Sequence, residues 1–233
     1  MNISHEHKTI WFAPQRCGTK ALAHIFNKFG FDFYFDLDSY RLGDKSDYQS
    51  HSIDIPEEFS NYDLLISTRN PYDRVLSLYY NFTSMGRNAT YTRDTHNEYM
   101  QRFEIFVQEL FYRKFAKSGK PILNNYILRY TYETNMNFKV LRMENLIEDL
   151  SKVGFITSND LWKSGYIHDY LTSNEYLIKK PFKFNTIYTY KSAKIVYDNL
   201  HKHFILGNYD PFSFTTDKLS NTDKMKFIHE NLE

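Results

Sequence analysis

The chain has 233 residues, with 29 Lys and Arg against 28 Asp and Glu, for a net charge of +1. A near-neutral chain has no global field to draw in polyanions, which argues against a nucleic-acid partner and confines any anion site to a local cluster. Hydrophobic residues at 42 % and charged residues at 24 % are ordinary for a globular domain, and no apolar run approaches the ~20 residues of a membrane span.

The first predicted strand is Lys8 to Ala13, where Thr9-Ile10-Trp11-Phe12 forms a short apolar run closed by Pro14. Gly18-Thr19 opens a predicted helix over Lys20 to Phe29, because Ala21, Leu22, Ile25, Phe26 and Phe29 recur at helical spacing; Gly30 ends it. Phe31 to Asp36 alternates like a strand, and Tyr40 to Ser50 is polar and reads as loop. Asp63 to Thr68 reads as a buried strand, and Pro71 starts the next helix, in whose first turn proline is tolerated. Met85 to His96 is polar and without periodicity, so a surface loop is expected there.

Helices are predicted over about Glu98 to Lys117 and Leu123 to Tyr132, a strand over Asn137 to Leu141, and a helix from near Asn145. Ser164 to Lys183 is irregular, and Ser192 to Phe204 is an amphipathic helix. This order predicts an α/β chain, 1–233 as a single domain, with a mostly parallel central sheet covered by helices. Ligands of such sheets bind at the carboxyl ends of the strands.

One cysteine, Cys17, leaves no internal disulfide, and no Cys/His cluster has metal-ligand spacing, so no metal is expected. Met1 to Ile10 is polar and lacks the basic start and apolar stretch of a signal peptide, so a cytoplasmic location is expected. The Asn-x-Ser/Thr triplets at Asn2, Asn81 and Asn88 then read as chance. The 20 Tyr and 20 Phe fit an AT-rich genome; a sugar-binding face is the other reading.

A strand, a tight turn and a helix N-terminus make an anion site, because the first helical N–H groups lack partners and the helix dipole favours negative charge. The turn Ala13-Pro14-Gln15-Arg16-Cys17-Gly18-Thr19-Lys20 adds two cations, Arg16 and Lys20. Against the nucleoside-triphosphate pattern G-x-x-x-x-G-K-[ST], Gly18 matches the second glycine, but Ala13 replaces the first. Thr19 and Lys20 replace the phosphate lysine and the Mg²⁺-binding hydroxyl. The architecture suits a phosphate; the magnesium–triphosphate chemistry is missing.

Pro14-Gln15-Arg16-Cys17-Gly18-Thr19-Lys20-Ala21-Leu22 resembles the 5′-phosphosulfate loop of sulfotransferases, usually P-K-x-G-T or R-K-G-G-T-R-A-L. Arg16 stands where most members have lysine, as in tyrosylprotein sulfotransferases, and Cys17 replaces a usual Ser or Gly. Leu65 to Tyr79 contains Arg69-Asn70-Pro71-Tyr72-Asp73-Arg74-Val75-Leu76-Ser77, which is similar to their 3′-phosphate segment R-[DN]-P-x-[DE]-R-x-x-S. Val140-Leu141-Arg142-Met143-Glu144-Asn145-Leu146 is similar to their Leu-x-Tyr-Glu-Asp-Leu junction, with Met143 where a tyrosine often lies beside adenine; Met143 reads equally as core packing. Tyr197 to Phe212 is similar to the terminal helix and Phe-Gly-Tyr ending of glycan-type members, with Asn208 inserted, and reads as structural.

The resemblance implies a P-loop-like sulfotransferase fold, closest in pattern to the glycan and tyrosylprotein types. It implies 3′-phosphoadenosine 5′-phosphosulfate as donor and 3′,5′-bisphosphoadenosine as product. Gln15, Arg16, Cys17, Gly18, Thr19, Lys20 and Ala21 would hold the 5′ end, and Arg69 and Ser77 the 3′-phosphate, with Arg16 catalytic. A 3′-phosphate grip discriminates against ATP, whose binding would leave the arginine unpaired. Arg74 reads as structural, paired with Asp73 or a helix carboxylate. Lys179, Lys180 and Lys183 read as a solvated charged loop or a cover over the nucleotide.

Sulfuryl transfer also needs a base for the acceptor proton. His51, between the two motifs, is the candidate by analogy with a Gly-His base, with Ser50 in place of the glycine; Asp36 and Asp38 are its rivals. A small-molecule or glycan acceptor is expected by family analogy alone, since Tyr40 to Ile53 and Met85 to His96 carry no recognisable code. A kinase with a degenerate phosphate loop and a non-catalytic nucleotide-binding protein are the competing readings.

Overall fold

The computed structural model describes residues 2–14, 16–28, 57–82, 96–112, 138–153 and 183–230. The chain forms two compact units: Met1–Arg69 with Asn125–Leu177, and Asn70–Asn124 with Ile178–Glu233. The predicted strand over 31–36 and helix over 123–132 lie outside the described residues.

The first unit is built on a sheet of β1 (Asn2–Ser4), β2 (Thr9–Phe12), β3 (Asp63–Thr68) and β4 (Phe138–Arg142), in that order. β2, β3 and β4 run parallel, and β1 joins β2 antiparallel, with Asn2 opposite Trp11. The chain is therefore mixed α/β, with a three-stranded parallel sheet flanked by helices. Every residue of β2 is buried, as is β3 after Asp63. That burial explains why both strands read as unbroken apolar runs without alternation.

Trp11, Leu65 and Leu141 from the three parallel strands form one cluster with two helices. α1 (Thr19–Lys28) contributes Leu22, Ile25 and Phe26, and α4 (Leu146–Val153), fourth in chain order, contributes Leu146, Leu150 and Val153. Both sets recur at three and four residues, which puts each on one helix face. Trp11 meets Phe26 edge to face at 5.0 Å, a geometry that adds about 0.5–1.5 kcal/mol beyond simple burial. Leu150 is fully buried, so Leu150→Ala would cost about 2–5 kcal/mol.

The second unit is helical: α2 (Pro71–Phe82), α3 (His96–Tyr112), α5 (Tyr190–Gly207) and α6 (Asn221–His229). Asn70 caps α2. Its Oδ1 accepts from the Tyr72 N–H at 3.0 Å and its carbonyl from the Arg74 N–H at 2.8 Å. Pro71 takes the first helical position, where its missing N–H costs nothing. Tyr72 is an aromatic hub, edge-on to Tyr188, Phe204 and Phe214. Tyr79, Tyr80, Tyr99 and Phe103 are all 2 % exposed or less, so much of the aromatic surplus builds this core.

α5 runs beyond its predicted span at both ends. Thr189 and Ser192 start it with a capping box, and the helix bends at Leu200 (φ −123°, ψ 16°). Asn208 ends it at φ 51°, with its N–H donated to the Ile205 carbonyl and the Tyr209 N–H donated to the Phe204 carbonyl. This is a Schellman ending, with asparagine in the left-handed position. A Cβ on Gly207 would overlap the Tyr209 ring. The inserted Asn208 is thus part of a helix terminator, in line with the structural reading of that segment.

Candidate functional site

β2 ends in a four-residue turn closed by the Cys17 N–H, which donates to the Pro14 carbonyl at 3.0 Å. Arg16, the third residue of that turn, has φ 67°, and Gly18 has φ 78°. A left-handed conformation suits glycine; on arginine it costs about 1–2 kcal/mol. Backbone strain of this kind marks functional turns more often than ordinary connections.

Gly18 is the N-cap of α1, because its carbonyl accepts the Leu22 N–H at 2.9 Å. The N–H groups of Thr19, Lys20 and Ala21 therefore precede the first intrahelical bond and have no acceptor within the helix. Glycine has no side chain with which to cap them, and the first turn of α1 holds no acidic residue. α5 and α6, by contrast, cap themselves with Thr189/Ser192 and Ser220/Asp223. The positive end of α1 is thus chemically suited to an external anion.

Arg69 follows the last residue of β3. β3 lies beside β2, with Ile66 opposite Phe12, so both strands deliver their carboxyl ends to one edge of the sheet. Arg69 Nη1 donates to the Arg16 carbonyl at 3.4 Å. Two guanidinium-bearing residues, from turns that are 53 positions apart, therefore meet at the phosphate-type turn. Cys17, which closes that turn, is buried at 1 % exposure.

The β4–α4 junction completes the first unit's contribution. Asp149 accepts from Arg142 Nη2 at 2.7 Å, from Nε at 2.9 Å and from the Arg142 N–H at 2.8 Å. Burial alone would raise the Asp149 pKa, but these bonds outweigh it and hold the carboxyl below its ordinary 3.8. Met143 packs against the core cluster, and a Cβ on Gly18 would overlap its Sδ and Cε. Met143 is thus a packing residue set on the phosphate-type turn, a contact the sequence did not signal.

In the second unit, Ser77 is 3 % exposed on α2. Asn70, besides capping, donates from Nδ2 to Ser213 Oγ at 3.1 Å. Arg74 is 2 % exposed and bears on His203 of α5. Burial first, then the Arg74 charge, then His201, hold the His203 pKa well below 6.5, so its imidazole is neutral at neutral pH. Its Nε2 is buried with no hydrogen-bond partner.

The predicted site residues Arg16, Cys17, Gly18, Thr19 and Ala21 thus share one turn and helix start, and Arg69 joins them. Gln15, His51, Asp36 and Asp38 lie outside the described residues, as does the side chain of Lys20. Lys183 is exposed, while Lys179 and Lys180 lie outside the described residues. Among the described residues no cluster of His, Cys, Asp and Glu is grouped to hold a metal, and no helix is long and apolar enough to cross a membrane. In comparisons with known proteins, no family model, no curated protein and no solved structure matches the chain.

Proposed function

We propose that the chain is a sulfotransferase that moves a sulfuryl group from 3′-phosphoadenosine 5′-phosphosulfate to a hydroxyl or amine of an acceptor. The observation that carries this reading is the Arg69–Arg16 hydrogen bond, which ties the two phosphate-type segments together at one sheet edge. A phosphate turn alone would serve any anion. A second arginine, followed by Asn-Pro and by a serine eight residues on, suits a ligand with a second phosphate.

The residues present fit such a donor. A glycine N-cap, a first turn of α1 without an acidic residue, and Arg16 supply donors for the 5′ end. The resemblance assigns the 3′-phosphate to Arg69 and Ser77, a planar fork and a hydroxyl. The bound donor supplies an activated sulfuryl group on its 5′-phosphate. Arg16 stabilises charge growing on the leaving oxygen, and as a guanidinium it remains a fixed charge throughout. His51 takes the acceptor proton on a ring nitrogen, with Asp36 or Asp38 as the alternative base. The chemical class of the acceptor, a carbohydrate by analogy, belongs to this proposal as well.

A kinase is the weaker reading, because Thr19-Lys20 lacks the Lys-Ser/Thr pair that a magnesium–triphosphate site uses. Thermal shift tests the choice. At 100 times its Kd a ligand stabilises by about 2.7 kcal/mol, several degrees in a chain of this size. 3′,5′-Bisphosphoadenosine is expected to produce that shift without magnesium. A shift produced only by ATP with Mg²⁺ would sink the sulfotransferase reading.

A further inference from the structure

The first unit holds a chain of contacts that runs from α4 to the phosphate-type turn. Asp149 of α4 is 4 % exposed and takes three hydrogen bonds from Arg142 alone, including the main-chain N–H. An internal bidentate clamp of this kind fixes both the guanidinium and the local backbone. Arg142 is the last residue of β4, so the clamp also sets the direction in which the chain leaves the sheet. The next residue, Met143, opens the short 3₁₀ turn Met143–Asn145.

β4 is not a neighbour of β2, since β3 lies between them. Even so, the Met143 side chain reaches the turn that follows β2. A Cβ on Gly18 would overlap Met143 Sδ and Cε and stand 3.3 Å from Cγ. Gly18 is therefore confined in two ways: its φ of 78° demands glycine, and a thioether fills the space where a side chain would go. Methionine suits this task, since an unbranched, polarisable chain can lie flat on a main-chain surface.

We propose that Met143 is a positioning residue for the anion turn: braced by the Asp149–Arg142 clamp, its thioether holds Gly18 in its left-handed conformation and so aims the first-turn N–H groups of α1 at the 5′-phosphate. This rests on the reading that the turn binds the 5′ end of the donor and adds a residue that never touches that end. It separates the two halves of the nucleotide: Met143 packs on Gly18, whereas Arg69 meets the turn at the main-chain carbonyl of Arg16, two residues earlier.

The experiment is calorimetric titration of the full chain, as wild type, Met143→Ala and Met143→Leu. The probes are 3′,5′-bisphosphoadenosine, adenosine 5′-phosphate and adenosine 3′-phosphate. Met143→Ala is expected to weaken the two 5′-phosphorylated probes about tenfold, the worth of one hydrogen bond to a charged group. Adenosine 3′-phosphate should bind Met143→Ala as it binds wild type. Met143→Leu keeps the volume and should lie within about threefold of wild type. Equal affinities of wild type and Met143→Ala for all three probes would overturn the proposal while leaving the sulfotransferase reading intact. Equal losses on the 5′ and 3′ probes would also overturn it, since they would mark a general structural role. If wild type binds none of the probes, the donor reading falls and this inference falls with it.

Discussion

Arg69 donates from Nη1 to the main-chain carbonyl of Arg16 at 3.4 Å, and Arg16 is itself held at φ 67°. The arginine that ends β3 thus steadies a strained arginine in the turn after β2. The bond engages only the main chain of residue 16, so it would survive a change of that side chain. Strain and function can then be separated at one position.

Arg16→Gly removes the cation and accepts the left-handed conformation. The folded state should gain up to about 1–2 kcal/mol from relieved strain, offset in part by the greater freedom of glycine in the unfolded chain. Melting temperature is therefore expected to hold or rise. Sulfuryl transfer should fall by about 10²–10³, the usual effect of removing one donor to developing charge. Thermal melts and a donor-turnover assay on the same preparation check both. A destabilised variant that keeps its activity would contradict the role given to Arg16.

Asp149 gives a pH-dependent prediction. Its folded carboxyl lies below the ordinary 3.8 because the Arg142 bonds outweigh the effect of burial. A carboxyl depressed in the folded state contributes stability above its unfolded value and loses it as pH falls through the folded value. Asp149→Asn should therefore be less stable than wild type at neutral pH, by about 1–3 kcal/mol for a partly exposed charged pair. The two proteins should converge as pH falls below 3.8. Urea unfolding across that range measures the gap; a gap that stays constant to acid would disprove the ion-pair account.

His203 gives a second pH-dependent prediction, and stability again falls with pH. Its folded pKa lies well below 6.5, from burial first and the Arg74 charge second. As pH drops below 6.5, the unfolded chain takes up a proton that the folded chain refuses. Stability should then fall by up to about 1.4 kcal/mol per pH unit. His203→Leu should flatten that part of the profile, read by thermal melts from neutral pH downward. An unchanged slope would place the acid sensitivity elsewhere.

Much of the framework was legible in the residues themselves. β2 and β3 stood out because burial on both faces makes them unbroken apolar runs. α2 was legible from Asn70-Pro71, whose cap and first-turn proline have the expected geometry. β1 was hidden because three residues carry no pattern, and only pairing with β2 makes them a strand. α6 was hidden because Phe227 is its single buried residue, which leaves no periodicity to read. Its capping box, Ser220 with Asp223, was the available signal.

For the proposed site, the strand, turn and helix start around Gly18 were legible in the residues, while Arg69 was picked out by resemblance to a 3′-phosphate segment. The Met143–Gly18 contact was not, because it depends on where β4 lies two strands away from β2. The clamp of Asp149 on Arg142 was likewise invisible: a separation of seven residues across a strand–helix junction has no fixed periodicity.

The most direct measurement is calorimetric titration of 3′,5′-bisphosphoadenosine into wild type and Arg69→Ala. Wild type should bind one equivalent without magnesium. Arg69→Ala should bind at least about 100-fold more weakly, because a planar fork gives up two charge-assisted hydrogen bonds to phosphate at once, each worth ~1.5–3 kcal/mol. Equal affinity in the two proteins, or no binding to wild type, would contradict the assignment of this edge of the sheet as a 3′-phosphonucleotide site.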